Sequence, residues 1–316
     1  MVRPGTLITG VALLLAGCRD AVPGTGHPAL DEPLSKSKGL VAPTDLIAGQ
    51  ASLPHAFVID ARTMEAYRKG HIPGAVQLWR DALTRHDLPY PGMAAARDTV
   101  RHLLDSLGLQ ADQPVVVYDD RGGCDAARIW WLLIVYGHRH VQLLDGGWLR
   151  WTAEGRPTDT AVVVLPASGY RFPHVPDSTW VATMEEVERA HAGGVVLLDT
   201  RSEEEHTGAV LKQGALRPGT IPGSVHYDWG NAVAFDKNQC MKDADVLRDQ
   251  LSSLGVGPED TVITFCHSGV RSAHTAFMLT QVLGFKHVRN YGGSWTEWSH
   301  AAGMPVEVKV AHGDLP

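Results

Sequence analysis

Two kinds of apolar run recur along the chain. The short ones, VVVYD at 115–119 and TVITF at 261–265, are mostly β-branched or aromatic, with few polar positions. That pattern predicts strands buried on both faces, as in a parallel sheet. A longer run follows each: AARIWWLLIVYG at 126–137 and SAHTAFMLTQVLG at 272–284. Both are long enough for helices, and both end at a glycine, a common helix stop. HVQLL at 140–144 and HVRNY at 287–291 predict the next strands. Strands alternating with helices predict an α/β fold with parallel sheets and helices on both faces.

The pattern occurs twice because the chain repeats itself. FVIDARTMEAYRKGHIPGAVQL, from Phe57, matches VVLLDTRSEEEHTG, from Val195, which reaches RPGTIPGSVHY after a short insertion. Both carry Asp-x-Arg and then Gly-x-Ile-Pro-Gly. SLGLQADQPVVVYDDRGGCDAARIWW matches SLGVGPEDTVITFCHSGVRSAHTAFM, and HVQLLDGGWLRW matches HVRNYGGSWTEW. Three blocks in the same order indicate a duplicated domain, and the period is far too long for a solenoid. The expected division is 40–165 for the first domain, 166–176 for a Pro-containing linker, and 177–316 for the second.

Composition adds little. The 316 residues suit two domains, and 44% hydrophobic with 20% charged residues is ordinary for a globular protein. A formal charge of -7 argues against a nucleic-acid partner, which selects a basic face. The four cysteines, Cys18, Cys124, Cys240 and Cys266, form no C-x-x-C pair, and the histidines form no H-E-x-x-H array. Neither a metal site nor a disulfide framework is expected.

The candidate chemistry lies in FCHSGVRSAH at 265–274. Cys266 falls at the end of a predicted strand, in a tight loop feeding a helix, the edge where open α/β sheets bind ligands. Loop amides and the helix N-terminus favour a thiolate there, and the same cradle could hold a persulfide. Gly269 allows the tight turn, with Val270 completing the loop. Ser268 and Ser272 offer hydroxyl donors, Arg271 offers a fixed charge for an anionic donor, and His267 is expected at the same mouth. Asp60, Arg62, Asp199 and Arg201 read as structural, since a strand-end Asp commonly fixes a loop. The tryptophans near the Gly-Gly turns and in the apolar helices read as core or interface residues.

Taken together, the Asp-x-Arg, Gly-x-Ile-Pro-Gly and Cys-x-x-Gly-x-Arg-Ser blocks resemble a tandem-domain rhodanese over nearly the whole chain after about Leu40. The resemblance implies two domains, each a central parallel five-stranded sheet flanked by helices. It also implies a sulfurtransferase with an active cysteine in the C-terminal domain and a non-catalytic N-terminal copy. The sequence agrees with that asymmetry: aligning the copies places Asp119 opposite Cys266, and Asp119 cannot form a persulfide. Cys124 falls opposite Arg271 and reads as an unreactive thiol, or else as a second redox-active one. Cys240 reads as a surface or half-buried residue.

The implied reaction loads a sulfane sulfur on Cys266 and passes it to a thiophilic acceptor such as cyanide or a thiol, with no cofactor. Thiosulfate is expected over 3-mercaptopyruvate, because Glu205 stands where the mercaptopyruvate enzymes carry an arginine. A carrier or redox-sensing module without turnover remains an alternative. A phosphatase fits poorly, since four residues rather than five separate Cys266 from Arg271. By analogy with tandem relatives the chain is expected to be a monomer.

The start of the chain is read separately. Arg3 precedes an apolar segment from about Leu7 to Ala16, too short to span a membrane. It suits a secretory signal at 1–17. Leu15-Ala16-Gly17-Cys18 resembles the lipobox of bacterial lipoproteins, which implies a lipid anchor on Cys18 and a folded part on the periplasmic side. Residues 18–39 read as a flexible tether.

Overall fold

The computed structural model describes residues 39–48, 55–190 and 194–309, so the expected signal, tether and Cys18 lie outside the described residues. The first sheet contains β1 (Leu40–Val41), β2 (Phe57–Asp60), β3 (Val76–Gln77), β4 (Val115–Tyr118) and β5 (Val141–Leu144), in the order β1-β5-β4-β2-β3. The second contains β6 (Val181–Ala182), β7 (Val196–Asp199), β8 (Val225–His226), β11 (Thr261–Phe265) and β12 (His287–Tyr291), in the order β6-β12-β11-β7-β8. All neighbours in both sheets run parallel. The two orders are the same topology, as the repeated blocks predict. The second copy adds a short antiparallel pair, β9 (Val233–Ala234) with β10 (Cys240–Met241), where the first has the single antiparallel bridge Thr84–Ala94.

The helices of the first copy are α1 (Pro43–Ala48), α2 (Met64–Lys69), α3 (Arg97–Ser106), α4 (Cys124–Tyr136) and α5 (Gly147–Ala153). Those of the second are α6 (Met184–Ala190), α7 (Glu203–Thr207), α8 (Ala244–Ser253), α9 (Arg271–Phe277) and α10 (Ser294–His300). The expected second long helix differs from prediction. After α9 the backbone widens into a π-helix over Met278–Val282, a feature that side-chain periodicity does not register.

Each domain's three repeated blocks meet at one place. Asp60 pairs with Arg62, which donates to the Gly70 carbonyl and stacks over Trp148 at 4.2 Å. In the second copy Asp199 pairs with Arg201, which donates to the Gly219 carbonyl and stacks over Trp295 at 4.7 Å. The Asp-x-Arg pair thus ties a strand end to the first glycine of Gly-x-Ile-Pro-Gly and to the tryptophan after the Gly-Gly turn. All four charged residues are buried and mutually paired, the condition under which buried charge is tolerated.

The helix α4 is apolar apart from Asp125 and Arg128, and all its residues but Tyr136 are buried. Such a helix needs cover on every side. Its own sheet covers one side and α9 of the other copy covers another. Trp130 meets Phe277 edge-on at 5.0 Å, and Ala273 and Phe277 join the core built around α4. The segment between α5 and β6 is also tied down: Tyr170 is buried, and its backbone N–H donates to Asp105.

Candidate active site

The site is built by one local unit, a strand, a tight loop and a helix start. β11 ends at Phe265 beside Asp199 of β7, and Cys266 follows directly. The loop is stapled to the start of α10. Cys266 N–H donates to Ser294 Oγ, Trp295 N–H donates to the Cys266 carbonyl, and Thr296 N–H donates to that of His267. Gly269 has φ +76°, and a Cβ there would come within 2.4 Å of the Gly292 carbonyl oxygen. Only glycine fits that turn.

Inside the loop the cysteine faces donors. Ser272 Oγ lies 3.5 Å from Cys266 Sγ, and the N–H groups of Ser268 and Ser272 point at the sulfur. Burial alone would push the thiol up. The Arg271 charge, the Ser272 hydroxyl and those two amides outweigh it and hold the thiol below its ordinary value. Cys266 is 1% exposed, so the sulfur is aimed into its amide ring with little direct access from solvent.

The first copy shows what such a ring holds. The Asp119 carboxylate accepts from the N–H groups of Arg121 and Gly123 on Oδ1, and of Asp125 and Ala126 on Oδ2, at 2.8–2.9 Å. Arg121 and Asp125 align with Ser268 and Ser272. The same turn therefore encloses an oxyanion in one domain and a sulfur in the other.

Two expectations require correction. His267 is not exposed at the mouth; it is buried and turned toward the insertion after α7, with Nε2 at 3.0 Å from the Gln213 carbonyl. A carbonyl only accepts, so Nε2 carries the proton, and burial pushes the imidazole down to about 4. Arg271 is not free for an anionic donor. Its two terminal nitrogens fork onto both oxygens of Glu205, at 2.5 and 2.8 Å. Sequence reading treated Glu205 only as a missing arginine; its pairing needs α7 and α9 to meet.

The two other described cysteines sit in different surroundings, Cys124 still close enough for its charge to act on Arg271. Cys124 opens α4 and is buried, and burial followed by Asp125 and Asp119 pushes its thiol well up. Cys240 is half-buried beside Gly146, Asp145 and Arg150 of the first domain, with its thiol pushed up to about 11 by burial and Asp145. Neither environment favours a thiolate. Among the described residues no cluster of His, Cys, Asp or Glu is arranged to hold a metal ion. Nor is any helix among them long and apolar enough to cross a membrane.

The first domain also forms part of the site, which the sequence did not reveal. Gly92, at φ +100°, lies so close that a Cβ would meet Ser268 Cβ at 2.4 Å. Thr296 Oγ1 donates to the Pro91 carbonyl. A cleft of about 70 Å³ between the domains is lined by Arg80, Thr84, Gly92, Arg128, Ser268 and Val270, among others.

Comparison with known proteins agrees with this geometry. The family model described as "Rhodanese-like domain" matches residues 42–154 and again 183–301. The chain is similar to the "Putative thiosulfate sulfurtransferase SseA" of Mycobacterium tuberculosis, 36% identical over 262 residues, covering 79% of this chain and 84% of that protein. It is similar to the "Thiosulfate sulfurtransferase" of Corynebacterium glutamicum, 35% identical over 255 residues, covering 76% and 81%. The "Sulfur carrier protein TtuD" of Thermus thermophilus is 33% identical over 254 residues, covering 76% and 86%. Among solved structures, "Crystal structure of YnjE" aligns with TM-score 0.74 at 26% identity, covering 86% of this chain and 69% of that one. The chain therefore belongs to the rhodanese family, with two rhodanese-like domains in tandem.

Proposed function

We propose that the protein is a sulfurtransferase that moves a sulfane sulfur from thiosulfate, or a similar small anionic donor, to a thiophilic acceptor through a persulfide on Cys266. The observation that carries this reading is the amide ring, filled by a carboxylate in one copy and by the Cys266 sulfur in the other. A ring of that kind suits the negative charge that a thiolate or a persulfide's outer sulfur would bring. The names of the Mycobacterium and Corynebacterium relatives support the same reaction.

In the first step the Cys266 thiolate attacks the outer sulfur of thiosulfate. A new S–S bond forms, the donor's S–S bond breaks, and sulfite leaves with the electron pair. In the second, cyanide or a thiolate attacks the outer sulfur of the persulfide, and the Cys266 thiolate departs with its electrons. Covalent catalysis of this kind gives ping-pong kinetics. Because Arg271 is held by Glu205, its contribution is the positive charge beside the sulfur, not a free fork for the donor. Glu205, paired with Arg271, supplies no cation for the carboxylate of a donor such as 3-mercaptopyruvate.

The test is a donor panel of thiosulfate against mercaptopyruvate, with cyanide as acceptor and Cys266→Ala as control. Turnover with thiosulfate and none in the variant is expected; a variant that still turned over would sink the assignment. A second reading, a sulfur carrier without turnover, is favoured by the name of the Thermus relative and by the 1% exposure of Cys266. Mass spectrometry separates the two: a stable extra sulfur on the protein without thiocyanate production selects the carrier.

A further inference from the structure

We infer that Arg128, a residue of the N-terminal domain, is a positioning residue for the Cys266 loop: it fixes the direction of the Gly269 peptide and, through it, an amide of the sulfur cradle. Arg128 lies on α4 and is 2% exposed. Its Nη1 donates to the Gly269 carbonyl at 3.2 Å and its Nη2 to the Gly92 carbonyl at 2.6 Å. The guanidinium lies 4.8 Å over the Trp131 ring. Among the described residues no carboxylate forms an ion pair with it. A buried arginine without a carboxylate is costly, and a leucine or methionine would fill the same volume at less cost. Its contacts therefore point to a task other than packing.

The peptide geometry supplies the task. In a trans peptide the C=O and the following N–H point in opposite directions. Arg128 and Asn290 Nδ2, the latter at 3.3 Å, both hold the Gly269 carbonyl. With that carbonyl held on the side of Arg128 and Asn290, the N–H of Val270 faces the opposite side. The aligned residue of the first copy is Gly123, whose N–H donates to the Asp119 carboxylate at 2.8 Å. The cradle thus gains an anion-facing amide whose orientation is set from the other domain. Burial pushes the Arg128 guanidinium down to about 10, and the Cys266 thiolate opposes that shift, as expected for a charge close to the loop.

The inference rests on Cys266 being the reactive thiol but not on the identity of the sulfur donor. The test is the pH dependence of iodoacetamide alkylation of the Cys266 peptide, read by mass spectrometry on the full chain and its Arg128→Met and Arg128→Lys variants. Arg128→Met should raise the midpoint by about one pH unit. Arg128→Lys, which keeps a charge and can hold one carbonyl but not both, should raise it less. A folded Arg128→Met with the wild-type midpoint overturns the inference, and so does an Arg128→Lys with the wild-type midpoint, since charge alone would then account for the shift in Arg128→Met. If Arg128→Met does not fold, Arg128→Lys decides: an upward shift supports the positioning role, and an unmoved midpoint refutes it. Destabilisation alone would lower the melting temperature without moving the midpoint. Because no sulfur donor is used, failure of the transfer reaction would leave this measurement readable.

Discussion

Arg271 has a carboxylate on one side and the Cys266 sulfur on the other. Glu205 takes both ends of its guanidinium, and the remaining field is, after burial, the largest influence on the thiol. Removing that charge leaves the buried Glu205 carboxylate facing the sulfur alone, and both changes disfavour a thiolate. The loading rate should rise with pH through the thiol's pKa and then level off. In Arg271→Met this rise should move to higher pH by about one unit or more. Single-turnover loading from thiosulfate across pH 5–10 measures it. An unmoved profile would mean that the amides alone hold the thiolate.

At the scale of elements, one strand–loop–helix unit is used twice with different occupants. In the second copy the unit ends in a cysteine and its amides face a sulfur. In the first it ends in Asp119, whose two oxygens each satisfy two amides. Asp119→Asn replaces one oxygen by an NH₂ group that turns a donor toward donors, whichever way the amide flips. At pH 8, above the value of about 6 to which burial and Asp125 push this carboxyl, the substitution should cost about 1–3 kcal/mol. A urea denaturation midpoint equal to wild type would show that the first copy does not depend on its internal anion. The unit also fixes its own limits. Gly269 must turn at positive φ against Gly292, and the loop ends where α9 begins at Arg271.

At the scale of the whole molecule, the two copies share a core through α4 and α9, and burial keeps several histidines of the chain neutral. His138, His267 and His274 are buried, and burial pushes each down to about 4. Their folded-state pKa values lie below the unfolded value of about 6.5. The stability they contribute is complete above that value and is lost as pH falls through the window from about 6.5 to about 4, where only the unfolded chain takes up the protons. Each histidine should add about 1.4 kcal/mol per pH unit to that slope well inside the window. Urea unfolding from pH 7 to pH 5 should show falling stability, partly offset by Asp119, whose raised carboxyl pKa acts with the opposite sign, and the slope should be shallower in His274→Leu. A flat profile would contradict burial of these rings in the neutral form.

Much of this was readable along the chain because it is local. Short β-branched runs specify parallel strands, and repeated Asp-x-Arg, Gly-x-Ile-Pro-Gly and Gly-Gly blocks, the last followed by a tryptophan one or two residues on, specify a duplicated fold. A cysteine placed between a strand and a helix start already has its neighbours in the backbone. The π-helix after α9 was not readable, since it widens the backbone without altering residue types. The contacts that complete the site were decided by tertiary structure. Arg128 reaches Gly269 across 141 residues, and Glu205 reaches Arg271 across 66. Such partners are chosen when α4 packs on α9 and α7 closes on the loop, and no periodicity or spacing encodes which distant side chain will fill that space.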